Sequence, residues 1–142
     1  MSPAQLTLDL LESLLAVNGA TGWKGVYATV PNTIDKVVTV FDTDPQLDFR
    51  RMRTPYTHEK HHGVMIHVRA KEYQTGWDKA VALCALLGTV VHRPEAGIGG
   101  GAGSKFVGYY LKSGPSPAGI PREETNVRYM FSANYTTVIE AL

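Results

Sequence analysis

Residues 62–91 read HGVMIHVRAKEYQTGWDKAVALCALLGTVV, and the fold class turns on a change of period inside them. Val64, Ile66, Val68 and Ala70 alternate with Met65, His67 and Arg69, the period of two of a half-exposed strand that begins just after Gly63. Beyond it the apolar residues recur at spacings of three and four. Trp77, Ala80, Val81, Cys84, Leu87, Gly88 and Val91 form a stripe about four turns long that predicts a helix with one buried side. A strand followed closely by an amphipathic helix places the chain among folds that pack helices against a sheet.

Outward from this stretch the same rules give the other elements. Residues 37–42, VVTVFD, are β-branched and aromatic and predict a strand covered on at least one face. Ser2 is a good N-cap and Pro3 suits the first helical position, so a helix carries Leu6, Leu10 and Leu14 on one side with Leu11 and Leu15 beside them, and Gly19 supplies the stop. Val26–Val30 is a short extended piece between Gly25 and Pro31. After Pro94 and the glycine run 97–103, Phe106–Lys112 and Val127–Val138 predict two more strands, separated by the loop SGPSPAGIPREETN. The firm elements run helix, strand, strand, helix, strand, strand: an α+β domain over 1–142, with an antiparallel or mixed sheet of about four strands, two flanking helices and long loops. One sheet face is covered by the helices and one is left available.

Composition narrows the function. With 142 residues, 44% apolar and 19% charged, the chain supports one core, and fourteen basic against thirteen acidic residues leave a net charge of +1. Nothing in that balance points to nucleic acid or an anionic membrane as main partner. A single cysteine, Cys84, excludes an internal disulfide and multi-cysteine metal centres, and on the apolar helix stripe it reads as a small core residue. The opening MSPAQLTLDLLESLLAVNG is interrupted by Asp9 and Glu12 and fits neither a signal peptide nor a membrane span, so a protein made and kept in the cytoplasm is expected.

Three motifs invite chemistry. The run GIGGGAGSKF (97–106) offers backbone N–H groups to an anion, but Ser104 precedes Lys105 and a strand follows, so it lacks the helix that a phosphate loop needs and reads as a flexible surface loop. HEKHH (58–62) is formally H-E-x-x-H; on a helix His58 and His62 would share a zinc ion and Glu59 would polarise its water. It lies, however, in a polar stretch just before a strand, and the polar end of a loop is the preferred interpretation, with a metal-dependent hydrolase as the alternative. The third is Thr43–His62, about twenty residues without a period, longer than ordinary connections in a compact domain. Within it Phe49, Arg50, Arg51, Arg53, Tyr56, His58, Lys60, His61 and His62 combine cations with aromatics; with Arg69 and Lys71 they give a local positive balance and suggest a subunit or protein interface ahead of a nucleic-acid backbone. No Ser/His/Asp set or carboxylate pair emerges from the spacing, so no enzyme is expected and no catalytic residue, metal or cofactor is assigned.

Three runs, taken in order, carry a family resemblance. VVTVFDTD (37–44) resembles the strand ending in Asp-Thr of phage tail terminator and related minor capsid proteins. HGVMIHVRAKEYQTGWDKAVALCALL (62–87) is similar to their paired strand, Arg with a small residue, Tyr, and following helix. GIPREETNVRYMFSANYTTVI (119–139) resembles their closing strand, with Arg128, Phe131, Ser132, Asn134 and Tyr135 in its pattern. The chain departs from that pattern at Asp44-Pro45, where glycines are usual, and in its glycine-rich insertion. The resemblance implies a virion protein of a long-tailed bacteriophage, synthesised in the host cytoplasm. It implies a small α+β subunit in a six-membered ring at the head-proximal end of the tail tube, in the neck region, which stops tube polymerisation and joins the tail to the head connector. Its implied partners are copies of itself, the tail tube protein, the head-tail connector protein and phage DNA passing through the lumen without sequence-specific binding; no membrane, catalysis or cofactor is implied. Another neck or head-tail joining protein is the nearest alternative.

Overall fold

The computed structural model describes residues 2–31, 33–47, 60–118 and 128–141. The fold is α+β. Helix α1 (Pro3–Ser13) is followed by a 3-10 turn (Gly19–Thr21), strands β1 (Lys24–Tyr27), β2 (Val37–Leu47) and β3 (Lys60–Ala70), helix α2 (Tyr73–Gly88), and strands β4 (Val91–Glu95), β5 (Ser104–Pro117) and β6 (Tyr129–Ala141). The six strands form one mixed sheet in the order β1-β2-β3-β6-β5-β4, with only β1 and β2 parallel.

Register decides which residues meet. Gly25, Val38, Val68 and Phe131 lie side by side across β1, β2, β3 and β6. An added Cβ on Gly25 would meet Leu8 of α1, and one on Gly76 of α2 would meet Phe131, so both helices cover this one face. Val40, Val64, Ile66, Ala133 and Tyr135 continue the face beneath Leu10, Leu11, Ala80, Leu83 and Leu87, all buried in one cluster. Removal of that apolar surface from water is what drives the two layers together.

Several expectations are corrected here. The sheet has six strands rather than about four, because β1 and β4 are edge strands whose residues are mostly exposed and so carry no alternating signal. The piece expected at Val26–Val30 forms as Lys24–Tyr27. Helix α1 stops at Ser13 rather than at Gly19: Leu15 takes φ 58° and is 80% exposed, turning the chain so that Ala16 and Val17 enter the core. The inward stripe of α2 is Gly76, Ala80, Leu83 and Leu87; Val81 and Gly88 face outward, and Val91 has left the helix for β4. The stretch expected as a loop over 43–62 is strand at both ends, through Leu47 and from Lys60, with a register shift between Thr43 and Gln46 that accommodates Pro45. Likewise β5 runs on through Pro117, past the predicted Lys112, with three register shifts against β6.

Parallel neighbours need a crossover, and the described residues between β1 and β2, 28–31 and 33–36, lie against the sheet face that the helices leave open. Thr39 Oγ1 donates to the Thr29 carbonyl at 2.9 Å, and Arg69 Nη2 donates to the carbonyls of Pro31 and, at 2.6 Å, Ile34.

Candidate functional site

The fold leaves the sheet face opposite the helices without a second helix layer. Opposite the helix layer stand Phe41 on β2, Met65 and His67 on β3, Ser132 and Asn134 on β6, and Tyr110 on β5, placed there by the alternation that buries their neighbours. Most are half-buried, and Tyr110 is 57% exposed. The Phe41 and His67 rings meet edge to face with centroids 6.1 Å apart. Burial, and then the charge of Arg69, pull the His67 imidazole below its ordinary value, so it is neutral at pH 7.

Arg69, which the sequence groups with the surface cations, is 6% exposed and belongs to the interior. Burial and nearby Arg128 lower its pKa, and Asp35 opposes them. Arg128 Nε is itself paired with Asp35 Oδ1 at 3.0 Å. An arginine within an alternating apolar strand was the available signal of this role. Its carbonyl acceptors on residues 28–36 have no signature in the sequence.

Midway along β2, Asp42 seats helix α1. Ala4 N–H donates to Asp42 Oδ1 at 2.9 Å and the Tyr27 hydroxyl to Oδ2 at 3.1 Å, while the Ser2 hydroxyl donates to the Tyr27 oxygen at 3.0 Å. A carboxylate against the first N–H groups of a helix satisfies an orphan donor and suits the helix dipole. Ser2 also accepts from Gln5 N–H at 3.2 Å, as its N-cap position predicts.

Beside that helix start is a cleft of about 440 Å³ lined by Pro3, Leu6, His62, Gly99–Ser104, Ile139 and Glu140. The glycine run is more constrained than a flexible surface loop. Gly103 has φ 104° and a Cβ there would lie 2.3 Å from the Glu95 carbonyl oxygen; on Gly99, with φ 91°, it would lie 2.4 Å from Ser104 Oγ. The loop of residues 96–103 joins β4 to β5 and ends in a tight turn in which Gly103 N–H donates to the Gly100 carbonyl at 2.9 Å, and no helix follows it to direct a dipole at a phosphate.

Of the residues expected at an interface, Phe49, Arg50, Arg51, Arg53, Tyr56 and His58 lie outside the described residues. Lys60, His61 and His62 are in β3. Successive strand residues point to opposite faces, so His61 and His62 diverge, and the helical geometry needed to set His58 and His62 on one zinc ion does not continue through this segment. Among the described residues no group of three His, Cys, Asp or Glu side chains is arranged to hold a metal ion.

Two further contacts fix the frame. Trp23 lies beneath two cations, Lys79 Nζ at 5.4 Å and Lys36 Nζ at 5.8 Å from the ring centroid, and Lys79 also donates to the Ala16 carbonyl at 2.5 Å, tying α2 to the turn after α1. Cys84 is half-buried against Tyr135, and burial pushes its thiol pKa up, which makes it a packing residue rather than a nucleophile. Among the described residues no helix is long and apolar enough to cross a membrane. No protein-family model and no curated protein sequence matches this chain.

Proposed function

We propose that the chain is a structural subunit of a closed ring, of the phage tail terminator kind, which ends the tail tube and presents a docking surface to the head connector. The observation that carries this reading is the sheet face opposite the helices, where Phe41, Met65 and Tyr110 stand among the uncharged side chains of Ser132 and Asn134. A two-layer domain that leaves such a face without a second helix layer is suited to burying it against another molecule. The resemblance of residues 37–44, 62–87 and 119–139 to tail terminators supplies the kind of assembly. The segment from Phe49 to His62, with Arg50, Arg51 and Arg53, is a second contact region in this proposal. The partners would be further copies of the chain, the tail tube and the head connector, with DNA passing through the lumen.

The test is the native mass of the purified protein, by light scattering and native mass spectrometry, followed by electron microscopy of tail tubes incubated with it. A closed ring in solution or at one end of the tubes is expected. A monomer in solution that also leaves the tube ends bare would refute the proposal.

A further inference from the structure

The cleft of about 440 Å³ beside the start of α1 is lined by donors without acceptors. Ser104, which lines it from the start of β5, is 5% exposed, yet its hydroxyl makes no hydrogen bond to another described residue. A polar side chain so buried is ordinarily paired, and leaving it unpaired costs stability. The glycine loop adds backbone donors. Ile98 N–H donates to the Glu95 carbonyl at 3.3 Å and Gly103 N–H to that of Gly100, whereas the N–H groups of Gly99, Gly100, Gly101 and Ala102 meet no acceptor among the described residues. Gly99, Gly100 and Gly101 take φ of 91°, 76° and 55° in succession, and amides in such turns form anion-binding concavities. Gly99 closes directly over Ser104, where a Cβ would collide with Oγ.

The charge around the cleft suits an anion. Alternation along β6 sets Ile139 on the helix side, opposite Phe106, and Glu140 on the other side, opposite Lys105, so the Glu140 carboxylate is directed away. His62 shares the helix side of β3 with Val64 and turns its imidazole toward the cleft. The first amides of α1 are already taken, Ala4 N–H by Asp42 and Gln5 N–H by Ser2, so the free donors belong to the loop and Ser104, while Pro3, Leu6 and Ile139 supply an apolar wall. These amides and the hydroxyl outnumber the roughly four lone-pair sites of a carboxylate and suit the outer oxygens of a phosphate, to which their hydrogen bonds are charge-assisted. We propose that this cleft binds a phosphate group, held by the N–H groups of residues 99–102 and the Ser104 hydroxyl, without the helix dipole that a nucleotide-binding loop adds. The proposal is independent of the ring reading.

The test is calorimetric titration of the wild-type protein with inorganic phosphate, against sodium chloride at matched ionic strength. Saturable binding with half-saturation at about 1 mM is expected. Phenyl phosphate distinguishes the source: affinity higher by about threefold or more points to a phosphate ester lying on the apolar wall, and equal affinity to the free ion. Ser104→Ala should weaken binding about tenfold, the loss of one hydrogen bond to a charged group. A Cβ on Gly101 meets nothing within 4 Å, and Asp and Asn both tolerate its φ of 55°. Gly101→Asp, which sets a carboxylate beside the amides, should therefore abolish binding, while Gly101→Asn stays within about threefold of the parent. Ser116→Ala, at the far end of β5, should bind like the parent. Hydrogen exchange at saturating phosphate should slow in residues 97–104. Absence of saturable binding, parental affinity in Ser104→Ala, or equal affinity in the Asp and Asn variants would overturn the proposal, and each leaves the ring reading standing.

Discussion

Replacing Arg69 with alanine should release Pro31 and Ile34 from the sheet and cost about 2–3 kcal/mol of stability. Arg69 is 6% exposed and its Nη2 donates to the carbonyls of both Pro31 and Ile34. Hydrogen bonds from a charged donor contribute about 1.5–3 kcal/mol each, so the gross loss is about 3–6 kcal/mol. Two effects reduce it. Removing a buried cation relieves its desolvation cost, which is larger here because Nε has no hydrogen-bond partner among the described residues. The freed carbonyls also sit on a half-exposed segment and recover water. Arg69→Met keeps much of the apolar stem and should lose less than the alanine variant. The assay is urea unfolding at fixed protein concentration, since assembly would add to apparent stability. With a slope of about 2 kcal/mol per molar, the alanine midpoint should fall by about 1–1.5 M. Hydrogen exchange should show the loss of protection concentrated in residues 28–40. If Arg69→Ala unfolds within about 0.5 kcal/mol of the parent, as an ordinary surface change would, the arginine does not hold the crossover and this account of the open face is wrong.

Asp42→Ala should cost about 1–2 kcal/mol, because Ala4 N–H loses its acceptor and Tyr27 its partner; a circular dichroism melt reads the loss, and an unchanged melting temperature would contradict the capping role. Gly103→Ala should destabilise far more than Gly100→Ala, since both need positive φ but only at Gly103 does the new Cβ collide with backbone; equal melting temperatures would count against the tight-turn description. His67 contributes a pH dependence of defined sign. Its folded pKa is lowered from 6.5, so below that value the unfolded chain binds more protons and stability falls as pH drops toward the folded pKa. His67→Gln should remove that part of the slope, and identical pH profiles for variant and parent between roughly pH 7 and 5.5 would disprove it.

Much of the local structure was written in the sequence. The alternation Val64, Ile66, Val68, Ala70 and the run VVTVFD identified β3 and β2, and Ser2 with Pro3 marked the start of α1, because side-chain period and N-capping depend on neighbours a few residues away. The available sheet face followed from the same alternation. Spacing alone did not give the side of α2 that is buried, since Val81 and Leu83 are equally apolar and only contact with Phe131 and its neighbours in the sheet separates them. Nor did it reveal β4, and it set β1 late, at Val26–Val30 instead of Lys24–Tyr27, because the exposed residues of these edges pair only where a neighbouring strand offers its edge. Asp42 and Arg69 look like ordinary charges in the chain. Their roles were decided by partners in distant segments, Ala4 at the start of α1 and the carbonyls of Pro31 and Ile34, and a hydrogen bond between such segments exists only once tertiary packing has brought donor and acceptor together.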